Sequence, residues 1–278
     1  MADTSLSNYH NVRILSLYWD NVDLRLVNAQ KKVFNKLGFH IEQQNLHNVD
    51  HAIWMMEVLD NTSDEDVIII VDIDCIPLNS DAVHKAIDSA CNGRIYGCTQ
   101  SANHIDYHYI YVAPMFLALT GKTWRGVGRP SLIANDEFDV AGRLTLAAQN
   151  AKYPIDFIYP TISAVPKWLL GDSHVYGLFT IYNNDYLHLF ESRNQFLIEC
   201  FIELSDEIIQ FGDSIDYRKY VIKASIESHN THLKNHLNKK SILGKIKREW
   251  SRFKKRRLLR NHSLLKMKNH FPSKNIKP

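Results

Sequence analysis

The chain has 278 residues, of which 45% are hydrophobic and 23% are charged. This composition is typical of a globular protein with a sizeable core and excludes wholesale disorder. The net charge of +3 is unevenly distributed along the chain. Residues 231–278 contain 16 basic residues and one acid, whereas residues 1–230 carry a net charge of −12. We therefore expect a folded domain over residues 1–230 and a basic tail over residues 231–278 that binds an anionic surface.

The N-terminal segment and the cysteines favour a cytoplasmic location. The opening segment MADTSLSNYHNVR is polar and lacks the apolar core of a secretory signal. The longest apolar stretch, residues 109–119, is interrupted by Pro114 and is too short to span a bilayer. The four cysteines show neither CxxC pairing nor zinc-like spacing with histidine, which indicates reduced thiols.

Hydrophobic patterns over the first 93 residues alternate between strands and helices. Strands are predicted at residues 12–18, 39–46 and 67–72, and helices at residues 23–38, 49–61 and 79–93. This order predicts a doubly wound α/β sheet with right-handed crossovers. The next stretch is richer in strands, and a further helix is predicted over residues 135–150.

Two acidic residues, Asp72 and Asp74, follow the apolar strand VIIIV. Residues i and i+2 of an extended chain point the same way, so both carboxylates can face one ligand at the carboxyl end of the strand. A divalent cation would relieve their mutual repulsion and keep positions open for phosphate oxygens. The alternative is a pair of turn aspartates ahead of Pro77 that hydrogen-bond their own backbone.

Two enzyme families carry an Asp-X-Asp motif after an apolar strand. Haloacid-dehalogenase-like phosphatases usually place the motif on the first strand and follow it with Thr or Val. In this chain Ile76 occupies that following position, and two βα units precede the motif. The layout of residues 12–193, with VDIDCIPL as metal-binding element, instead resembles the GT-A family of nucleotide-sugar-dependent glycosyltransferases. The resemblance implies an α/β, Rossmann-like mixed sheet flanked by helices, with a basic helical C-terminal extension.

The resemblance also implies the reaction and its metal ligands. A sugar would move from a nucleoside-diphosphate sugar, with UDP or GDP, to a glycan or lipid-linked acceptor. Asp74 would coordinate Mn²⁺ or Mg²⁺ on the donor diphosphate, and Asp72 would contact the ribose or the metal. His188 of YLHLFESR would be a third ligand, with a satisfied sheet histidine as the alternative and His174 as the competing ligand.

The donor nucleotide is expected over the end of the first strand. Tyr18 and Trp19 offer an aromatic surface for the base and Asn21 a hydrogen bond to its edge; the alternative is a loop with a helix cap. Asp50 is a further candidate nucleotide-sugar ligand, although it also suits the N-cap of the second helix. Arg193 is expected to meet a phosphate.

A catalytic base and an acceptor platform are predicted from residues 121–138. The base that accepts the proton of the acceptor hydroxyl is expected to be Asp136, with Glu137 as the second candidate. Their alternative role is to complement the dipole at the start of a helix. Trp124, in GKTWRGVGRP, which is predicted to be a Gly-rich loop, is expected to stack on an acceptor sugar, or else to be a core residue.

The tail has Ile242, Ile246, Trp250 and Phe253 on one helical face among many cations. A basic amphipathic helix favours an anionic membrane surface, with nucleic-acid binding or packing on the acidic domain as alternatives. We expect an enzyme peripheral to the inner face of the membrane that builds a cell-surface polysaccharide, with no nucleic-acid partner. The other functions considered are a phosphatase or nucleotidyltransferase that uses the same aspartates, and a non-catalytic membrane- or RNA-binding module.

Overall fold

The structure is a computed structural model that describes residues 11–212 and 215–240, with the backbone alone from residue 230 onward. The chain divides into two units, with the boundary after Ile226. The predicted amphipathic face of the tail lies outside the described residues. Within the described part of the chain, no helix combines the length and the apolar character needed to cross a membrane.

The first five elements confirm the predicted alternation of strands and helices to within a few residues. They are β1 (Val12–Tyr18), α1 (Leu24–Lys36), β2 (Ile41–Asn45), α2 (His51–Asp60) and β3 (Val67–Val71). Both helices begin at an aspartate whose carboxylate accepts backbone N–H groups of the first turn, Asp23 in α1 and Asp50 in α2. These caps satisfy amides that have no partner within the helix.

The remaining elements combine short strands, long hairpin strands and five helices in the described residues. They are β4 (Cys75–Pro77), α3 (Ser80–Cys91), β5 (Ile95–Ala102), β6 (Asp106–Thr120), α4 (Gly121–Gly126), α5 (Gly142–Asn150), β7 (Ile155–Ile158), β8 (Pro160–Leu170), β9 (His174–Tyr182), β10 (Tyr186–His188), α6 (Gln195–Phe211) and α7 (Arg218–Lys240). Two local predictions are wrong. The helix predicted from residue 135 begins at Gly142, and the segment predicted as a Gly-rich loop contains α4.

The strands form two sheets. A six-stranded mixed sheet has the order β2-β1-β3-β6-β5-β7, and a four-stranded antiparallel sheet has the order β4-β10-β9-β8. In the first sheet, β1 is parallel to β2 and β3, whereas β6 runs antiparallel to both β3 and β5. The predicted α/β class with a mixed sheet and flanking helices is confirmed. Parallel pairing joins β1 to β2 and β3 and also joins β5 to β7, and the antiparallel strand β6 separates the two groups.

The central strand β3 is buried on both faces, as its sequence predicts. Its residues are at most 1% exposed, with Val67, Ile69 and Val71 directed toward α3 and its neighbours. Ile68 and Ile70 pack in the opposite core, which contains residues of α2, α4 and α5. Each buried aliphatic side chain contributes roughly 1.5–3 kcal/mol. This burial therefore holds the end of β3, where the acidic motif begins, in a defined position.

Candidate metal and nucleotide site

The Asp-X-Asp motif is the turn that joins the two sheets. Strand β3 ends at Val71, and the chain enters the second sheet as β4 at Cys75. The N–H of Asp72 donates to Met115 O at 3.1 Å, and the N–H of Cys75 donates to Asp72 O at 2.9 Å. Pro77 is the last residue of β4. The two carboxylates therefore lie between the sheets, at the carboxyl end of β3.

Strand β10 brings His188 to this turn. It pairs antiparallel with β4, with His188 opposite Cys75, and the N–H of Leu189 donates to Asp74 O at 3.0 Å. The Nε2 atom of His188 is 3.0 Å from Asp74 Oδ1 and 3.7 Å from Asp72 Oδ2. One ligand atom from each of Asp72, Asp74 and His188 lies within 4.8 Å of the others. The structure thus brings His188, the predicted third ligand, together with the two aspartates.

Burial and charge oppose each other at these residues. Burial raises the pKa of the Asp72 carboxyl, although His51 and His188 partly offset this effect. Burial disfavours the charged imidazole of His188, but the adjacent Asp74 carboxylate outweighs it and the pKa of His188 is raised. Without metal, Asp72 and His188 therefore hold a proton more tightly than isolated side chains would, and a divalent cation competes with the protonation of these two groups.

The donor set fits a divalent cation that prefers oxygen and also accepts imidazole. Nε2 of His188 faces both carboxylates, whereas its buried Nδ1 has no hydrogen-bond partner among the described residues. Two carboxylates and one imidazole match the ligand preferences of Mn²⁺, and the carboxylates also suit Mg²⁺. Three protein ligands leave coordination positions free for the oxygens of a substrate.

A cavity of about 250 Å³ opens beside the three ligands. Six of the predicted site residues line it: Tyr18, Trp19, Asn21, Asp72, Asp74 and Arg193. Trp19 is 40% exposed and is anchored at its edge, because its Nε1–H donates to Val49 O at 3.3 Å. The structure thus places an accessible aromatic ring and a guanidinium in the cavity that holds both aspartates.

Two polar lining residues, His51 and Ser192, were not predicted as site residues. His51 is the first residue of α2, and its Nε2 is 3.8 Å from Asp72 Oδ1 while its ring stacks on Trp54. The available signal was its place just after β2, since neighbouring parallel strands end at the same sheet edge. Its neighbour Asp50 does not line the cavity, and its Oδ1 accepts the N–H groups of Ala52 and Ile53. The capping alternative, and not the nucleotide role, therefore describes Asp50.

The segment that carries Arg193 leaves β10 through an unfavourable backbone conformation. Phe190 and Glu191 have φ values of 53° and 44°, which L side chains rarely adopt. The Phe190 ring packs 3.8 Å from the ring of His188, and Glu191 pairs with Lys167. Such conformations persist only where surrounding contacts impose them, and they concentrate at functional sites.

The predicted acceptor platform Trp124 is a core residue. It belongs to α4, is 1% exposed, and its Nε1–H donates to Asp60 Oδ1 at 2.7 Å. Because its ring is enclosed by the core, it offers no face to a sugar. The prediction of a stacking role for Trp124 is therefore wrong, and the core alternative is correct.

The candidate bases Asp136 and Glu137 lie on an exposed bend and not at a helix start. The Asn135 side chain orders this bend by accepting the N–H groups of Glu137 and Phe138 at 3.0 and 2.7 Å. Neither acid lines the cavity. The competing histidine, His174, does not line it either, and its ring stacks on Tyr159 with the ring centroids 4.7 Å apart.

No family model matches the chain, and no curated protein matches its sequence. Among solved structures, the chain is similar to the catalytic domain of Drosophila β1,4-galactosyltransferase 7 with xylobiose. The identity is 13% and the TM-score 0.41, over 67% of this chain and 73% of that one. A mutant of that enzyme with manganese, UDP-Gal and xylobiose gives 12% identity and a TM-score of 0.39, over 66% and 73% of the two chains.

Proposed function

We propose that this protein is a metal-dependent glycosyltransferase that moves a sugar from a nucleoside-diphosphate sugar to a glycan or lipid-linked acceptor. The observation that carries the proposal is the convergence of Asp72, Asp74 and His188 beside a cavity that Trp19 and Arg193 line. A diphosphate requires cationic partners and a nucleobase requires an aromatic surface, and this cavity offers both.

Each side chain has a distinct role in this proposal. Asp72, Asp74 and His188 would hold Mn²⁺ or Mg²⁺, which neutralises the charge of the leaving diphosphate. The exposed Arg193 guanidinium offers the donor a second positive charge. Trp19 stacks on the base of UDP or GDP, and Asn21 bonds to its edge. Together these contacts favour the oxocarbenium-like state in which the bond to the leaving group breaks.

We propose that the general base is on the bend that contains Asp136 and Glu137, with Asp136 as the first candidate. Both side chains are exposed and are free of the helix-start role considered from the sequence. If Asp136 accepts the proton of the acceptor hydroxyl, Asp136→Asn will lower kcat and leave the Kd of the donor unchanged. Glu137→Gln is the matched comparison, since it removes the neighbouring charge on the same bend.

Calorimetry with Mn²⁺ and a panel of UDP, GDP and CMP tests the proposed function. We expect one of the two nucleoside diphosphates to bind in Mn²⁺, and its affinity to fall at least about tenfold in EDTA or in Asp74→Asn. The control variant is Asp81→Asn, which removes an exposed carboxylate in the first turn of α3.

The outcomes of this experiment separate the proposed function from its alternatives. Release of phosphate from a generic phosphate ester without nucleotide binding would support a phosphatase that uses the same aspartates. Absence of both metal and nucleotide binding in the wild-type protein would support a non-catalytic module. Equal loss of affinity in Asp74→Asn and Asp81→Asn would contradict a direct role for the Asp-X-Asp motif.

The basic tail provides the proposed cellular context. Residues 231–278 contain 16 basic residues and one acid, and each cation near an anionic leaflet contributes about 1 kcal/mol. We propose that this tail holds the enzyme at the cytoplasmic face of the membrane, where it acts in cell-surface polysaccharide synthesis. Deletion of residues 241–278 should abolish sedimentation with anionic liposomes and preserve donor hydrolysis. Equal sedimentation of both proteins would contradict the membrane role.

A further inference from the structure

A buried amide from α1 contacts both ends of the metal-binding turn. Gln30 is fully buried, and its Nε2 donates to Asp72 O at 2.7 Å and to Cys75 O at 2.9 Å. These carbonyl groups belong to the first and last residues of the turn that presents Asp72 and Asp74. One NH₂ group therefore spans the connection from the first sheet to the second.

A second glutamine fixes the orientation of this amide. Gln43 Nε2 donates to Gln30 Oε1 at 3.0 Å and to Val27 O at 2.8 Å. Both donors and the acceptor of the Gln30 amide are thus engaged, so rotation of the amide by 180° would break all three contacts. Gln43 lies on β2 and Val27 on α1, which ties the turn to two elements of the first sheet layer.

The buried amide of Gln30 indicates a role beyond filling space in the core. Burying an amide carries a desolvation cost that only complete hydrogen bonding offsets, and an aliphatic side chain would fill the same space without that cost. The turn has a different requirement, since its two ends continue into strands of different sheets and its two carboxylates must both face His188. A single rigid donor that bonds both ends holds their separation constant.

We propose that Gln30 is a positioning residue that holds the Asp72–Cys75 turn in the conformation that binds the metal. The inference rests on the metal site of the proposed function. Gln30 acts through the backbone of the turn and does not itself contact the ion. Its loss should lower the affinity for Mn²⁺ because the metal must then also restrict the turn, which costs conformational entropy.

The test compares Gln30→Met with a matched core variant in the full-length chain. Met preserves the length of the side chain but replaces the amide with an apolar thioether, which removes both donors. The control is Thr145→Val, which removes a buried hydroxyl that accepts the N–H of Val112 at 3.0 Å in a different core. Thermal unfolding in EDTA reports stability, and titration calorimetry with MnCl₂ reports metal affinity.

Both variants should unfold at a lower temperature than wild type, and Gln30→Met alone should lose about tenfold in Mn²⁺ affinity. Gln43→Met keeps both bonds from Gln30 to the turn and should show a smaller loss in the same direction. Wild-type affinity in Gln30→Met, or an equal loss in Thr145→Val, would overturn the positioning role. If Gln30→Met does not fold, an unchanged Mn²⁺ affinity in Gln43→Met would overturn it. Failure of the wild-type protein to bind Mn²⁺ would instead overturn the metal site itself.

Discussion

The substitution Asp72→Asn should stabilise the metal-free protein. Burial raises the pKa of this carboxyl, which means that its ionised form is unfavourable at neutral pH. Repulsion from the Asp74 carboxylate also raises this pKa, but it is a smaller effect than the loss of solvation. The charges of His51 and His188 oppose this rise, each more strongly than Asp74 adds to it, and the side chain is 29% exposed. A rise of one pKa unit corresponds to about 1.4 kcal/mol. We expect a net gain on the order of 1 kcal/mol, or about 2–4 °C in Tm.

The same substitution should remove the response of the protein to metal. A ligand at 100 times its Kd stabilises the native state by about 2.7 kcal/mol, so saturating Mn²⁺ should raise the Tm of wild type by roughly 5–10 °C. Asp72→Asn lacks one anionic ligand and should lose most of this increase. Scanning calorimetry at neutral pH, in EDTA and then in MnCl₂, measures both effects on the same samples.

A surface variant provides the control. Asp172→Asn alters a carboxylate that is 86% exposed on the turn between β8 and β9, and it should change neither Tm nor the Mn²⁺ response. The contradicting outcome is a lower Tm of Asp72→Asn in EDTA together with the full Mn²⁺ response. That result would mean that Asp72 is a structural turn residue whose charge the metal-free fold already satisfies.

Three further substitutions test the fold around the site. Trp124→Phe removes the hydrogen bond to Asp60 and part of a buried ring, and should cost about 2 kcal/mol in urea denaturation while nucleotide binding in calorimetry is unchanged. The Arg94 guanidinium lowers the pKa of Asp156, so this pair stabilises the protein at neutral pH and loses its contribution as the pH falls below about 4. Asp156→Asn should therefore reduce stability at neutral pH, and denaturation curves of variant and wild type should converge in acid. Gly97→Ala places a Cβ 2.3 Å from a neighbouring carbonyl oxygen in the central sheet and should cost at least about 2 kcal/mol in unfolding free energy.

The alternating elements of the first 93 residues could be predicted because their signals are local. Period-two and period-3.6 patterns, together with capping residues such as Asp23 and Asn79, act over a few neighbours along the chain. The loop after Trp124 shows the limit of such signals. Asn135 binds the N–H groups that follow it and resembles a helix cap, but here it forms a turn and the helix begins seven residues later, at Gly142.

The two aspartates could be identified as a candidate site from sequence. Ligands of open α/β sheets bind at the carboxyl ends of the strands, and paired acids at such an end can bind a cation. His188 was the predicted third ligand, but its chemistry depends on a contact with Asp74 across 114 residues. Only the antiparallel register of β4 and β10 creates that contact. A shift of one residue would turn the imidazole to the opposite face of the sheet.

The sequence by itself determined the α/β pattern, the position of the acidic motif and the division of charge between the domain and the tail. Tertiary structure decided that Asp72 and Asp74 join two sheets, that Gln30 bonds to both ends of their turn, and that the Trp124 ring is enclosed by the core. The physical reason is the range of the interactions. Hydrophobic periodicity and capping are set by adjacent residues, whereas strand register, burial and side-chain convergence depend on segments that meet only when the chain folds.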